Sequence, residues 1–242
     1  MIHVGTSGYS YPEWRGTFYP ERFPPARMLP YYAERFRTVE LNNTFYRMPT
    51  GKTIAGWDQD TPVGFVFALK VPQRITHFAR LRDVADPLRY FLDTALGLGA
   101  KLGPLLLQLP PNFRKDTDRL DACLALVPPS TRVAVEFRHA SWLDDEVYAL
   151  LRARNTALCV ADTEESTTPA VATADFGYLR LRDRAYGPDE LARWAAMSAR
   201  VEWRDAFVYF KHEESGTGPA LARELVDLVE PAAGRRAAVP EP

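Results

Sequence analysis

Residues 65–69 read Phe-Val-Phe-Ala-Leu, and Lys70 follows them. Five apolar side chains in succession cannot alternate between core and solvent, so a strand built from them is covered on both faces. A parallel sheet enclosed by helices provides that environment. Working outward from this stretch (65–71), seven further short apolar runs occur, at 2–5, 38–41, 105–109, 133–137, 157–161, 177–182 and 206–211. Between them, apolar residues at helical spacing mark 28–35, 87–98, 118–126, 143–152, 189–197 and 220–229, and more weakly 52–58. Ser141 with Asp144, and Pro188 before Asp189 and Glu190, are suitable helix starts. Residues 163–175 lack helical periodicity. The alternation predicts an α/β chain folded as a single (β/α)8 TIM-type barrel, with the helix after the sixth strand reduced or missing.

The length agrees, since 242 residues is close to the roughly 250 typical of one such barrel. No linker divides the chain, so one domain is expected over 1–230, with 231–242 a flexible tail. A hydrophobic fraction of 46% and a charged fraction of 25% exclude disordered and fibrous classes. The formal net charge of −1 supplies no global field toward nucleic acid or anionic lipid, so any anion must be drawn by local clustering. Cys123 and Cys159 lie in apolar runs without metal-ligand spacing and read as reduced core thiols. The opening Met-Ile-His-Val-Gly is not a secretory signal and no apolar run could span a bilayer. The expected address is the cytoplasm, with no membrane partner; the oligomeric state is left open.

In this fold the active site lies at the C-terminal ends of the strands, where conserved chemistry is carried by residues leaving the sheet. Here those positions are polar. They are Thr6 and Ser7, Glu40 and Asn42, Lys70, Gln108, Glu136 and Arg138, Asp162, Arg180 and Arg182, and Lys211 with His212. Residues two apart on a strand share a face, so Glu40 with Asn42, Glu136 with Arg138, and Arg180 with Arg182 each point together. Glu40, Glu136 and Asp162 are the catalytic candidates, because a carboxylate set into an apolar strand can exchange protons. Asn42, Lys70, Gln108, Arg138, Arg180, Arg182 and Lys211 are the substrate-binding candidates, with Lys70, Arg180 and Arg182 as an anion site. Tyr9 joins them as the aromatic of the long first loop nearest a strand end. The competing structural reading is that the charges pair as Glu–Arg struts capping the core. For Tyr11, Trp14, Phe18 and Tyr19 a packed plug is favoured. No metal site follows from spacing, although Glu40, Glu136, Asp162 and His212 would suit a hard cation.

At these residues the chain resembles the YecE-like family, also called domain of unknown function seventy-two. The likeness is carried by Gly-Thr-Ser-Gly-Tyr-Ser-Tyr-Pro-Glu-Trp-Arg-Gly at 5–16, Phe-Tyr-Pro at 18–20 and Val-Glu-Leu-Asn-Asn-Thr-Phe-Tyr at 39–46. It continues through Phe-Ala-Leu-Lys-Val-Pro and Ile-Thr-His within 67–77, Leu-Gly-Pro-Leu-Leu-Leu-Gln-Leu-Pro-Pro at 102–111, and Glu-Phe-Arg-His-Ala-Ser-Trp at 136–142. Tyr-Leu-Arg-Leu at 178–181 and Val-Tyr-Phe at 208–210 extend it to the last strand. The resemblance implies a barrel and supplies neither a reaction nor a cofactor. Where family members often carry His-Gly after the seventh strand this chain has Arg182-Asp183, and in place of paired asparagines after the eighth it has Lys211-His212. The leading functional expectation is an enzyme using carboxylate acid/base chemistry on a small anionic, phosphorylated or nucleotide-like substrate. The alternatives are a divalent-metal-dependent phosphodiesterase or isomerase, and a non-catalytic nucleotide or RNA binder.

Overall fold

The computed structural model describes residues 1–183, 186–200 and 202–230. The expected tail at 231–242 lies outside the described residues. Eight strands, β1 (Ile2–Thr6), β2 (Thr38–Leu41), β3 (Val66–Lys70), β4 (Leu102–Gln108), β5 (Val133–Glu136), β6 (Ala157–Asp162), β7 (Phe176–Leu181) and β8 (Asp205–Phe210), form one parallel sheet. Its order is β1-β8-β7-β6-β5-β4-β3-β2, so every strand lies beside its neighbours in sequence. The two ends of the sheet meet where Ser7 bridges Glu40 in parallel and the Gly8 N–H donates to the Glu40 carbonyl at 2.7 Å. The result is a (β/α)8 barrel.

The helices are α1 (Met28–Ala33), α2 (Asn43–Tyr46), α3 (Gly51–Gln59), α4 (Ala85–Ala95), α5 (Thr117–Leu124), α6 (Asp145–Ala153), α7 (Pro188–Ser198) and α8 (Thr217–Val229). Asp116 and Asp144 cap α5 and α6 by accepting from Arg119 N–H and Val147 N–H, which satisfies donors the helix itself leaves free. As the missing periodicity predicts, no helix joins β6 to β7. That segment turns back instead, with Thr168 N–H donating to Ala161 and Leu158 N–H to the Thr173 hydroxyl. It runs along β6, with Thr167 bridging Asp162 at one end and Thr173 bonded to Thr156 and Leu158 at the other.

Strand parity sorts the core into two layers. Phe67, Leu69, Leu105, Leu107, Val133, Val135, Leu158, Val160, Leu179 and Val208 face outward to the helices. Ala68, Ala134, Ala157, Cys159 and Ala161 face inward opposite Phe176, Tyr178, Phe207 and Tyr209, so small side chains on one wall make room for aromatic rings from the other. The first-loop aromatics pack as a cluster: Trp14 and Tyr19 are buried, and Phe18 lies against Tyr31, Tyr32 and Phe36.

Closure depends on Gly5. A Cβ placed there would stand 2.2 Å from the Thr38 carbonyl oxygen, a backbone atom of β2 that cannot swing aside. Gly5→Ala is therefore expected to lower stability by about 1–3 kcal/mol through overpacking. A urea midpoint indistinguishable from that of the unsubstituted protein would show that the β1–β2 seam can open without loss.

Candidate functional site

The same parity that orders the core decides which polar strand ends enter the barrel. On β2, Val39 and Leu41 face outward, which turns Glu40 inward; Ala68, Leu106, Ala134 and Tyr178 put Lys70, Gln108, Glu136 and Arg180 on the inner face two residues later. These side chains meet at the C-terminal end of the barrel. Arg180, 1% exposed, is the centre: its Nη2 lies 2.9 Å from Glu40 Oε1, and its Nη1 donates to Glu136 Oε2. Glu40, wholly buried, also accepts from the Ser7 hydroxyl and from Tyr178 OH at 2.7 Å. Glu136 accepts from Gln108 Nε2 at 2.9 Å and from Arg138 Nε at 3.0 Å, with Arg182 Nη1 3.8 Å away.

Burial alone would raise both carboxyls. The Arg180 guanidinium, joined by Arg138 at Glu136 and by the hydroxyl donors at Glu40, outweighs it and holds both below the usual carboxylate range. Their lone pairs are filled by donors. Two of the three expected catalytic carboxylates are thus tied into a Glu–Arg–Glu strut, and Arg180, expected to hold an anion, is occupied by them.

The other cations are less committed. Lys70 is only 9% exposed, yet among the described residues its Nζ has neither a carboxylate nor a hydrogen-bond acceptor; it sits 3.9 Å above the Phe45 ring. Burial first, and then the neighbouring Arg180, lowers its pKa to about 7. Asn42, at the adjacent strand end, has its Nδ2 and Oδ1 buried without a partner. Arg182 and Lys211 are both shifted down by burial and by nearby guanidinium groups, a sign of crowded positive charge. Five cations, Lys70, Arg138, Arg180, Arg182 and Lys211, face Glu40, Glu136 and the rim residue Glu213, 3.9 Å from Lys211. The surplus is two positive charges while Lys70 is protonated and one when it is neutral. His77, edge-on to Phe45, is depressed to about 4 by burial and then by Lys70 and Arg138, so it is neutral at pH 7.

Two expected residues are not brought here. Asp162 shares the parity of Leu158 and Val160 and so points out of the barrel, where Thr167 Oγ1 and Tyr186 OH donate to it at 2.5 and 2.8 Å. Tyr9 turns toward Tyr32, Trp57 and Asp60 on the outer side of the sheet. Its place is taken by Tyr11, which folds over Gly8, donates to the Ser7 carbonyl at 2.7 Å, and lies close enough to Glu40 and Arg180 to feel their charge. Tyr178 and Phe45 were not among the expected residues either. His212 Nε2 contacts the Asp183 carbonyl, away from the two glutamates. Among the described residues no group of three His, Cys, Asp or Glu side chains gathers to hold a metal. A guanidinium occupies the space between the two inward carboxylates that a cation would share. A groove of about 440 Å³ lies outside the barrel between α3 and α4, bordered by Ile54, Asp58, Tyr90 and Asp93, remote from these groups.

The family model described as "Protein of unknown function DUF72" matches residues 3–242. The chain belongs to the DUF72 family. A curated relative, the UPF0759 protein YunF of Bacillus subtilis (strain 168), is 24% identical, with 95% of each chain covered. A crystal structure of a DUF72 family protein from Thermotoga maritima superposes with a TM-score of 0.83 at 26% identity, covering 95% of this chain and 99% of that one. A second, from Enterococcus faecalis, gives 0.79 at 18% identity over 95% of both, a likeness of fold. The DUF72 barrel accounts for the long motifs at 5–16 and 39–46: they supply the β1–β2 seam, Ser7, Glu40 and the Phe45 ring beneath Lys70.

Proposed function

We propose that this DUF72 protein is an enzyme that binds a small anionic substrate in the barrel mouth, with Arg138, Arg182, Lys211 and Lys70 around it and Lys70 exchanging the proton. The observation that carries the reading is Lys70, a largely buried side chain at a strand end whose amine has no carboxylate within ion-pair distance among the described residues. Natural cores rarely leave such a charge unpaired, because burial without a partner is expensive. A group with a pKa about 7 is matched to proton transfer at neutral pH, whereas carboxylates held ionised and saturated with donors are weak bases. Glu40 and Glu136 then act as structural residues that fix Arg180 between them. Phosphorylated and nucleotide-like compounds fit the surplus charge, and the exposed Tyr46, edge-on to Phe45, offers a flat face to a ring.

Inorganic phosphate, a nucleoside monophosphate and a sugar phosphate should each raise the melting temperature, and the gain should shrink as salt rises. Arg182→Ala, whose side chain is partly exposed and among the described residues has no bonded partner closer than 3.8 Å, should keep the fold and lose most of that gain. Equal and negligible stabilisation of both proteins by all three ligands would contradict the reading.

A further inference from the structure

The free amine of Lys70 admits more than proton transfer. We infer that Lys70 is a covalent carbonyl site: its Nζ condenses with the aldehyde or keto carbon of a small anionic carbonyl compound whose carboxylate or phosphate is held by Arg138 and Arg182. This deepens the reading above and rests on it for the anionic part. A lysine becomes nucleophilic when it is desolvated or crowded by another cation. Both conditions meet at Lys70, which stands over an apolar ring and beside Arg180. Its strand end is held still, because the Thr44 hydroxyl donates to the Lys70 carbonyl at 2.6 Å.

The second observation is Asn42. Asn42 follows Leu41 and Lys70 follows Leu69, the last pair of β2 and β3, and the buried Asn42 amide carries a donor and an acceptor that no described residue satisfies. An anion-holding lysine needs neither. A carbinolamine needs both, one for its new hydroxyl and one for its N–H.

The step balances without a redox partner. The neutral amine lone pair forms the C–N bond while the carbonyl π pair moves to oxygen, and a proton passes from nitrogen to that oxygen. The hydroxyl then takes a second proton, supplied by solvent, and leaves as water as the nitrogen lone pair closes the C=N bond, giving a protonated imine. The charged groups facing Lys70 are Arg180 from β7, Glu136 and Arg138 at the end of β5, and Glu40 from β2, with His77 neutral across the Phe45 ring. The two arginines favour the free amine and the two glutamates oppose it. With its pKa lowered to about 7, Lys70 reaches the free-amine form near neutral pH, which an ordinary lysine with a pKa of about 10.4 does not.

The test is reductive trapping of the whole chain at pH 7 with cyanoborohydride and either glyoxylate, an anionic aldehyde, or glycolaldehyde, a neutral one, followed by peptide mapping. With glyoxylate, Lys70 should be labelled at least about tenfold faster than Lys52, Lys101, Lys115 or Lys211. Glycolaldehyde should label it more slowly, phosphate should slow the glyoxylate reaction, and Lys70→Arg should remove the label while its melting curve stays cooperative. Labelling of Lys70 at no more than the rate of exposed Lys52 overturns the covalent site, and the phosphate titration then judges the anion reading by itself. Fast labelling by both aldehydes alike, untouched by phosphate, overturns the anionic part.

Discussion

Arg180→Met is expected to destabilise the protein by about 3–5 kcal/mol at pH 7, the range for removing one partner of a buried ion pair. The size follows from what is left behind. Glu136 would keep Arg138 and, more distantly, Arg182, but Glu40 would retain only the hydroxyls of Ser7 and Tyr178 in a site closed to solvent. The pH dependence should also change sign. In the unsubstituted protein both folded carboxyls lie below their unfolded value of about 4.3, so their contribution is complete above that pH and is lost as pH falls toward the folded values. Without the guanidinium, burial dominates at Glu40 and raises its folded pKa, so that stabilisation is greatest at low pH and is lost as pH rises. Urea unfolding at pH 7 and pH 5 should therefore show a gap between the two proteins that narrows on acidification. A constant gap would mean that Arg180 contributes packing rather than charge.

Glu136→Gln separates the strut from a catalytic acid or base. The substitution keeps the shape but replaces a carboxylate that accepts from Gln108, Arg138 and Arg180 by a neutral amide, leaving Arg138, Arg180 and Arg182 crowded around an uncharged group. A loss of about 3 kcal/mol is expected. Because the positive surplus of the mouth grows by one, phosphate should bind the surviving folded protein more tightly, not less. Unchanged stability with unchanged phosphate affinity would return Glu136 to the role of proton carrier.

The barrel was legible because both-face-apolar runs such as 65–69 have few other uses, and because a missing periodicity at 163–175 is itself a signal. Much of the strand-end cluster was legible by the same parity that pairs Glu136 with Arg138. Asp162 shows where the rule of strand ends misleads: small Ala157, Cys159 and Ala161 alternate with larger Leu158 and Val160, and that contrast marks the aspartate as outward. Tyr178 lay two residues before Arg180 and carried the same signal. Other features were not readable from one sequence. The pairing of Arg180 with Glu40 across the barrel joins residues 140 apart, and the exchange of Tyr9 for Tyr11 is made by a backbone turn at Gly8, where φ is +94°. The commitment of Arg180 to the strut likewise depends on three-dimensional neighbours: of the three cations expected to hold an anion, it is the one the two glutamates share.

Under the proposed function, Lys70, Arg138 and Arg182 hold an anion in the barrel mouth, because Arg180 is taken up by the two glutamates. Crystals grown or soaked in selenate, read at the selenium absorption edge, test it most directly, since the anomalous signal locates the anion without assumption. The account predicts a peak within hydrogen-bond reach of Arg182 and Lys70 that is lost in Arg182→Ala; selenate ordered only at outer surfaces, with the mouth free of anomalous signal, would contradict it.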